Sequence, residues 1–132
     1  MARILLVDDE KDVCRTYQLI LESHGFDVDC FTDPAMALEI FKPNVYDLTI
    51  LDIKMPNPNG FKLYDQIKSS DPKIKTLFIT ALSSVESYNT ENKKVYPIKG
   101  QRHYIKKPLG MDELLGQVYS LLVNQEEYEE VV

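Results

Sequence analysis

Ile4-Leu5-Leu6-Val7-Asp8-Asp9-Glu10 and Leu48-Thr49-Ile50-Leu51-Asp52 share one design: a short, almost wholly apolar run that stops at acid. A strand with one face in water alternates apolar and polar residues, whereas a run without alternation is covered on both faces, as inside a parallel sheet. Two such runs predict two buried strands whose carboxyl ends meet solvent as carboxylates.

The segments around them fit the same plan. From Lys11 to Ser23, the apolar Val13, Tyr17, Ile20 and Leu21 fall on one helical face, and Gly25 supplies a stop. Phe26, Val28 and Cys30 alternate with Asp27 and Asp29, the pattern of a strand with a wetter side, at a sheet edge. Asp33 before Pro34 reads as an N-cap followed by proline at the first helical position, opening a helix with Ala37, Leu38 and Phe41. After Asp52, the segment from Met55 to Gly60 holds two prolines and is a loop, followed by a third helix through Phe61, Leu63, Tyr64 and Ile67.

Leu77 to Ile79 predicts a fourth strand ending at Thr80. Ser83 with Glu86 resembles a capping box opening a fourth helix, although few apolar positions follow it before Tyr96. Arg102 to Ile105 predicts a fifth strand ending near Lys107, and Met111, Leu114, Leu115, Val118 and Leu122 a fifth, amphipathic helix. Strands alternating with helices through connections too long for hairpins require an α/β fold: a doubly wound parallel sheet, right-handed crossovers, helices on both faces. The expected organisation is one domain over residues 1–124 and an acidic tail over 125–132 that carries Glu126, Glu127, Glu129 and Glu130.

Composition excludes several function classes. A formal charge of −6 gives no general electrostatic drive toward nucleic acid or anionic lipid. No apolar run reaches membrane-spanning length and the N-terminus lacks a signal peptide, so a cytoplasmic location is expected. Cys14 and Cys30 lack metal-ligand spacing and read as reduced core thiols, and His24 and His103 are lone residues without an assigned role.

In open parallel sheets, ligands bind outside the carboxyl ends of the strands. Those ends carry Asp8, Asp9, Asp52, Thr80 and either Lys106 or Lys107. Each has an ordinary alternative: a solvated acidic loop, an acid capping a turn, a solvated lysine. Together they describe a site. Carboxylates gathered at neighbouring strand ends repel one another, and a hard divalent cation with oxygen ligands, Mg²⁺ above all, relieves that repulsion. A carboxylate can attack phosphorus to give an acyl phosphate, and the transition state spreads negative charge over oxygens that need cations and donors nearby. Asp52 is the candidate nucleophile, with the metal, a lysine and the Thr80 hydroxyl around it.

These residues resemble the receiver domain of two-component response regulators over roughly residues 3 to 123. Val7-Asp8-Asp9-Glu10 is similar to that family's acidic pair after its first strand, and Leu51-Asp52-Ile53-Lys54-Met55-Pro56 with Gly60 to its phosphoacceptor loop. Thr80-Ala81 resembles its switch hydroxyl and small residue, Lys107-Pro108 its lysine and proline, and Tyr104 its rotating aromatic. The resemblance implies a flavodoxin-like, five-stranded sheet of order 2-1-3-4-5. It implies phosphorylation at Asp52, with Lys107 and Thr80 as catalytic groups and Thr80 with Tyr104 as the switch. It also implies Mg²⁺ ligation by Asp9, Asp52 and the Lys54 carbonyl, with Asp8 reaching the metal through water. The implied donor is a histidine kinase or histidine phosphotransfer protein, and the implied output is a protein target met through the fourth helix, fifth strand and fifth helix.

Two departures matter. The stretch between Thr80 and Lys107 is a few residues longer than is usual in the family and lacks its alanine and glycine pattern, which makes the output surface unusual. No output domain follows the fifth helix, so a single-domain regulator is expected. A small Mg²⁺ phosphotransferase of the haloacid-dehalogenase kind is the enzyme alternative, but that family wants a second Asp where Lys54 stands. A degenerate receiver, working as an unphosphorylated interaction module, would not need the full set of phosphorylation residues.

Overall fold

A computed structural model describes residues 2–55, 58–80, 104–106 and 110–123. The apolar runs form strands: β1 (Arg3–Val7), β2 (Asp27–Phe31), β3 (Leu48–Asp52) and β4 (Lys75–Thr80). They pair parallel in the order β2-β1-β3-β4, with Ile4 opposite Leu48 and Val7 opposite Leu51. Tyr104–Lys106 (β5) pairs parallel with β4 on its far side, Thr80 opposite Lys106. β2 has no neighbour beyond β1 among the described strands, and Asp27 and Asp29 on it are the charged residues that keep an edge from pairing further.

Helices cover both faces, as the crossovers require. On one face α1 (Lys11–Ser23) and the helix Met111–Val123 bury Cys14, Tyr17, Leu21, Leu114, Val118 and Leu121 against Ile4, Leu6, Ile50 and Ile79. On the other, α2 (Pro34–Ile40) and α3 (Gly60–Ser70) bury Ala37, Phe61, Leu63 and Ile67 against Leu5, Val7, Leu51 and Phe78. β1 and β3 therefore send successive side chains into two cores, which is why neither run alternates.

The helix boundaries follow from local chemistry. Gly25 ends α1 at a φ of 88°, and the Phe26 and Gly25 N–H groups donate to the Leu21 and Glu22 carbonyls, a glycine-closed helix terminus. The Asp33 carboxylate caps α2 through the Ala35 N–H at 3.0 Å, and the Asn59 side chain caps α3 through the Lys62 N–H at 3.0 Å. Phe41, expected on the second helix, instead forms its C-terminal boundary with an extended ψ of 135°.

Three side chains depart from what the sequence led us to expect. Lys75, ahead of the expected fourth strand, is the first residue of β4 and is buried; its ammonium donates to the Leu121 carbonyl at 2.5 Å, a cation at a helix C-terminus. Cys14 and Cys30, expected as separate reduced thiols, are paired as a disulfide, their Cα atoms 6.3 Å apart. The pairing is geometric: both residues point to the same face of the sheet, where α1 packs on the edge strand. The capping box at Ser83, the helix it opens and the acidic tail fall outside the described residues. No described helix is long and apolar enough to cross a membrane.

Candidate metal and phosphoacceptor site

β1 and β3 lie side by side with Val7 opposite Leu51, so the next residues, Asp8 just past β1 and Asp52 at the end of β3, stand at the same level. Both are buried, at 1% and 3% exposure, whereas Asp9 and Glu10 are exposed. One carboxylate oxygen from each of Asp8, Asp9, Glu10 and Asp52 lies within 4.8 Å of the other three. Asp8 is fixed at both ends: its N–H donates to the Phe31 carbonyl at 3.1 Å, and its Oδ1 accepts from the Glu10 N–H at 3.0 Å.

The far wall of the site is α3. The Gly60 N–H donates to the Ile53 carbonyl at 2.9 Å, and the Ile53 N–H to the Ile79 carbonyl at 3.1 Å. A Cβ on Gly60 would overlap the Asp52 carbonyl oxygen and stand 2.7 Å from Ile53 Cα. Glycine is needed here for close approach, because only its missing side chain lets the start of α3 rest on the Asp52–Ile53 backbone.

All the gathered donors are carboxylate oxygens, without sulfur or imidazole. That set suits a hard cation such as Mg²⁺ or Ca²⁺ and not a soft one. The sequence-predicted Asp8, Asp9 and Asp52 are thus brought together. Glu10 joins them, although the sequence offered it only as the end of an acidic run; its position at the mouth of α1, with its carbonyl accepting from the Cys14 N–H at 3.0 Å, turns it toward the site. Lys54 sits in the bend after β3 with an exposed side chain. Thr80 ends β4 and Tyr104 begins β5, both described as strand backbone. Lys107 lies outside the described residues.

A sequence model of the response regulator receiver domain matches residues 4–119. The chain belongs to the response regulator receiver family. Among curated relatives, Response regulator ArlR of Staphylococcus saprophyticus is 35% identical over 125 residues, 95% of this chain and 54% of the relative. Transcriptional regulatory protein DltR of Streptococcus agalactiae is 32% identical over 88% of this chain and 50% of its own length. The chain therefore spans about half the length of these relatives. A CheY-like receiver domain protein of Methanospirillum hungatei superposes with a TM-score of 0.79 at 27% identity, covering 97% of this chain and 98% of that one. TrrA of Thermotoga maritima, solved in complex with Mg²⁺-BeF, superposes with a TM-score of 0.73 at 30% identity over 92% of this receiver and all of its own chain. The flavodoxin-like receiver fold and a place in two-component signalling follow for this chain too.

Proposed function

We propose that this receiver takes a phosphoryl group onto Asp52 in a Mg²⁺-dependent step and so switches a protein-binding surface. The carrying observation is the buried Asp52 carboxylate at the end of a central strand, with oxygens of Asp8, Asp9 and Glu10 all within 4.8 Å. A buried carboxylate among other carboxylates is costly unless positive charge is brought to it. When bound, the cation supplies that charge and offsets the charge of an incoming phosphoryl group. One Asp52 oxygen forms a bond to phosphorus while the bond from phosphorus to the donor nitrogen breaks, and the donor imidazole leaves as the proton acceptor. Asp8, anchored through Phe31 and Glu10, and Gly60, seated against the Asp52 backbone, hold the nucleophile in place for in-line attack.

The remaining assignments extend this reading. Asp9, Asp52 and the Lys54 carbonyl would hold the Mg²⁺, with Asp8 reaching it through water. Lys107 and the Thr80 hydroxyl receive the phosphoryl oxygens, and Tyr104 turns as Thr80 moves. The sheet is five-stranded, of order 2-1-3-4-5, within a receiver domain over residues 1–124 that precedes an acidic tail over 125–132. A histidine kinase or histidine phosphotransfer protein donates, a protein target reads the surface around the fifth strand, and the setting is the cytoplasm. The test is incubation with acetyl phosphate. Wild type gains the mass of one phosphoryl group with Mg²⁺ and none with EDTA, and Asp52→Asn gains none. Labelling of Asp52→Asn to the wild-type extent would overturn the proposal.

A further inference from the structure

The cysteine pair lies at the edge of the acidic site. Cys14 occupies the first turn of α1, its N–H donating to the Glu10 carbonyl at 3.0 Å. Its sulfur is paired with Cys30 of β2 across a Cα separation of 6.3 Å, within the span that disulfides bridge. That sulfur also stands 3.8 Å from the Phe31 carbonyl oxygen, which accepts the Asp8 N–H at 3.1 Å. Of the four clustered acids, Glu10 thus touches Cys14 through its own backbone carbonyl, and Asp8 is joined to it through the Phe31 carbonyl.

We propose that Cys14 and Cys30 form a reversible disulfide latch, through which thiol oxidation tightens the hold of the acidic site on its divalent cation. The two residues differ in access: Cys14 is 1% exposed, whereas Cys30 is partly exposed on the edge strand. Cys30 is therefore the sulfur that a low-molecular-weight disulfide meets first. Its thiolate attacks the disulfide and releases one thiol; Cys14, losing its proton, then attacks the Cys30 sulfur and expels the second. Two protein thiols are oxidised and one external disulfide is reduced to two thiols. Because Cys30 is partly exposed, an external thiol can also reach the bond and reopen it by the reverse exchange.

Closure pins the first turn of α1 to β2. Asp8 and Glu10 are then ordered before the cation arrives, and ordering done in advance is not charged against binding. The link to the cation rests on the metal-site reading above; the bond itself does not.

The experiment treats the full chain with oxidised glutathione or with dithiothreitol. Tryptic mapping after alkylation should show the peptide Asp12–Arg15 joined to the peptide 16–54 in the oxidised monomer only. The oxidised form should melt higher by roughly 10 °C, as expected for a bridge across a short loop. Calorimetric titration with Mg²⁺ should give a Kd lower by roughly two- to fivefold in the oxidised form, and Cys30→Ser should lose both responses while folding normally. Glutathione retained on Cys30, or a cross-link between two chains, would overturn the latch. An equal Mg²⁺ Kd in both forms would overturn its link to the site. None of these readouts uses a phosphoryl donor, so failure of Asp52 to be phosphorylated would overturn the functional reading separately.

Discussion

Replacing either of two glycines by alanine should move stability in opposite directions. Gly60 opens α3 and Gly116 sits within the exposed surface of the helix Met111–Val123. By propensity and unfolded-state entropy alone, each substitution should stabilise by about 0.4–1 kcal/mol. At Gly116 nothing among the described residues lies within 4 Å of the added methyl, so that gain is expected in full. At Gly60 the methyl overlaps the Asp52 carbonyl oxygen and comes 2.7 Å from Ile53 Cα, backbone atoms at the end of a strand held between two neighbours. Overpacking costs about 1–3 kcal/mol. Moving α3 away lengthens the Gly60 to Ile53 hydrogen bond, worth about 1 kcal/mol more. The net is a loss of about 1–3.5 kcal/mol for Gly60→Ala. Urea denaturation followed by far-ultraviolet circular dichroism checks both, with the midpoint falling for Gly60→Ala and rising for Gly116→Ala at an unchanged slope. A Gly60→Ala protein as stable as wild type would refute the close-approach argument.

Other consequences can be checked independently. Burial, then the hydrogen bond to Asp29, pushes the Tyr46 phenol up to about 12. The folded state therefore holds this proton more tightly than the unfolded chain: the contribution is complete below pH 10 and lost as pH rises through about 12. A tyrosinate absorbance titration of wild type should show a late-titrating component that Tyr46→Phe lacks, and identical titrations of the two proteins would contradict this. Mg²⁺ at ten times its Kd should stabilise the native state by about 1.4 kcal/mol. Asp9→Asn, altering an exposed acid of the cluster, should leave the EDTA melt within about 0.5 kcal/mol and lose most of the Mg²⁺ gain; an undiminished gain would exclude Asp9 as a ligand. Lys54, exposed two residues past Asp52, can lie over the phosphoryl group and hinder the attacking water, so Lys54→Asn should hydrolyse the acyl phosphate faster; unchanged or slower decay would refute this.

Much of the fold is legible wherever residues act through periodicity or local capping. The runs ending at Asp8 and Asp52, the helical face of Tyr17 and Leu21, and the caps at Gly25 and Asp33 each carry their own local signal. What depends on tertiary distance is not legible. Lys75 looks like a solvated residue outside its strand until the C-terminal helix presents the Leu121 carbonyl to it. Cys14 and Cys30, 16 residues apart, become partners only because α1 packs over β2 in one register. Gly60 reads as a loop residue, and its close approach to the backbone of β3 exists only once α3 is docked. In the site, the strand-end rule brings Asp8 and Asp52 together, whereas Glu10 enters through the geometry of a helix start.

Among the clustered acids, Asp52 is the residue proposed to take the phosphoryl group. After incubation with acetyl phosphate and Mg²⁺, borohydride reduction converts an aspartyl phosphate to homoserine, and peptide sequencing by mass spectrometry then locates it. Homoserine at position 52 alone is the expected result. Homoserine at position 8 or 9, or a phosphoryl group retained on a serine, would contradict the account.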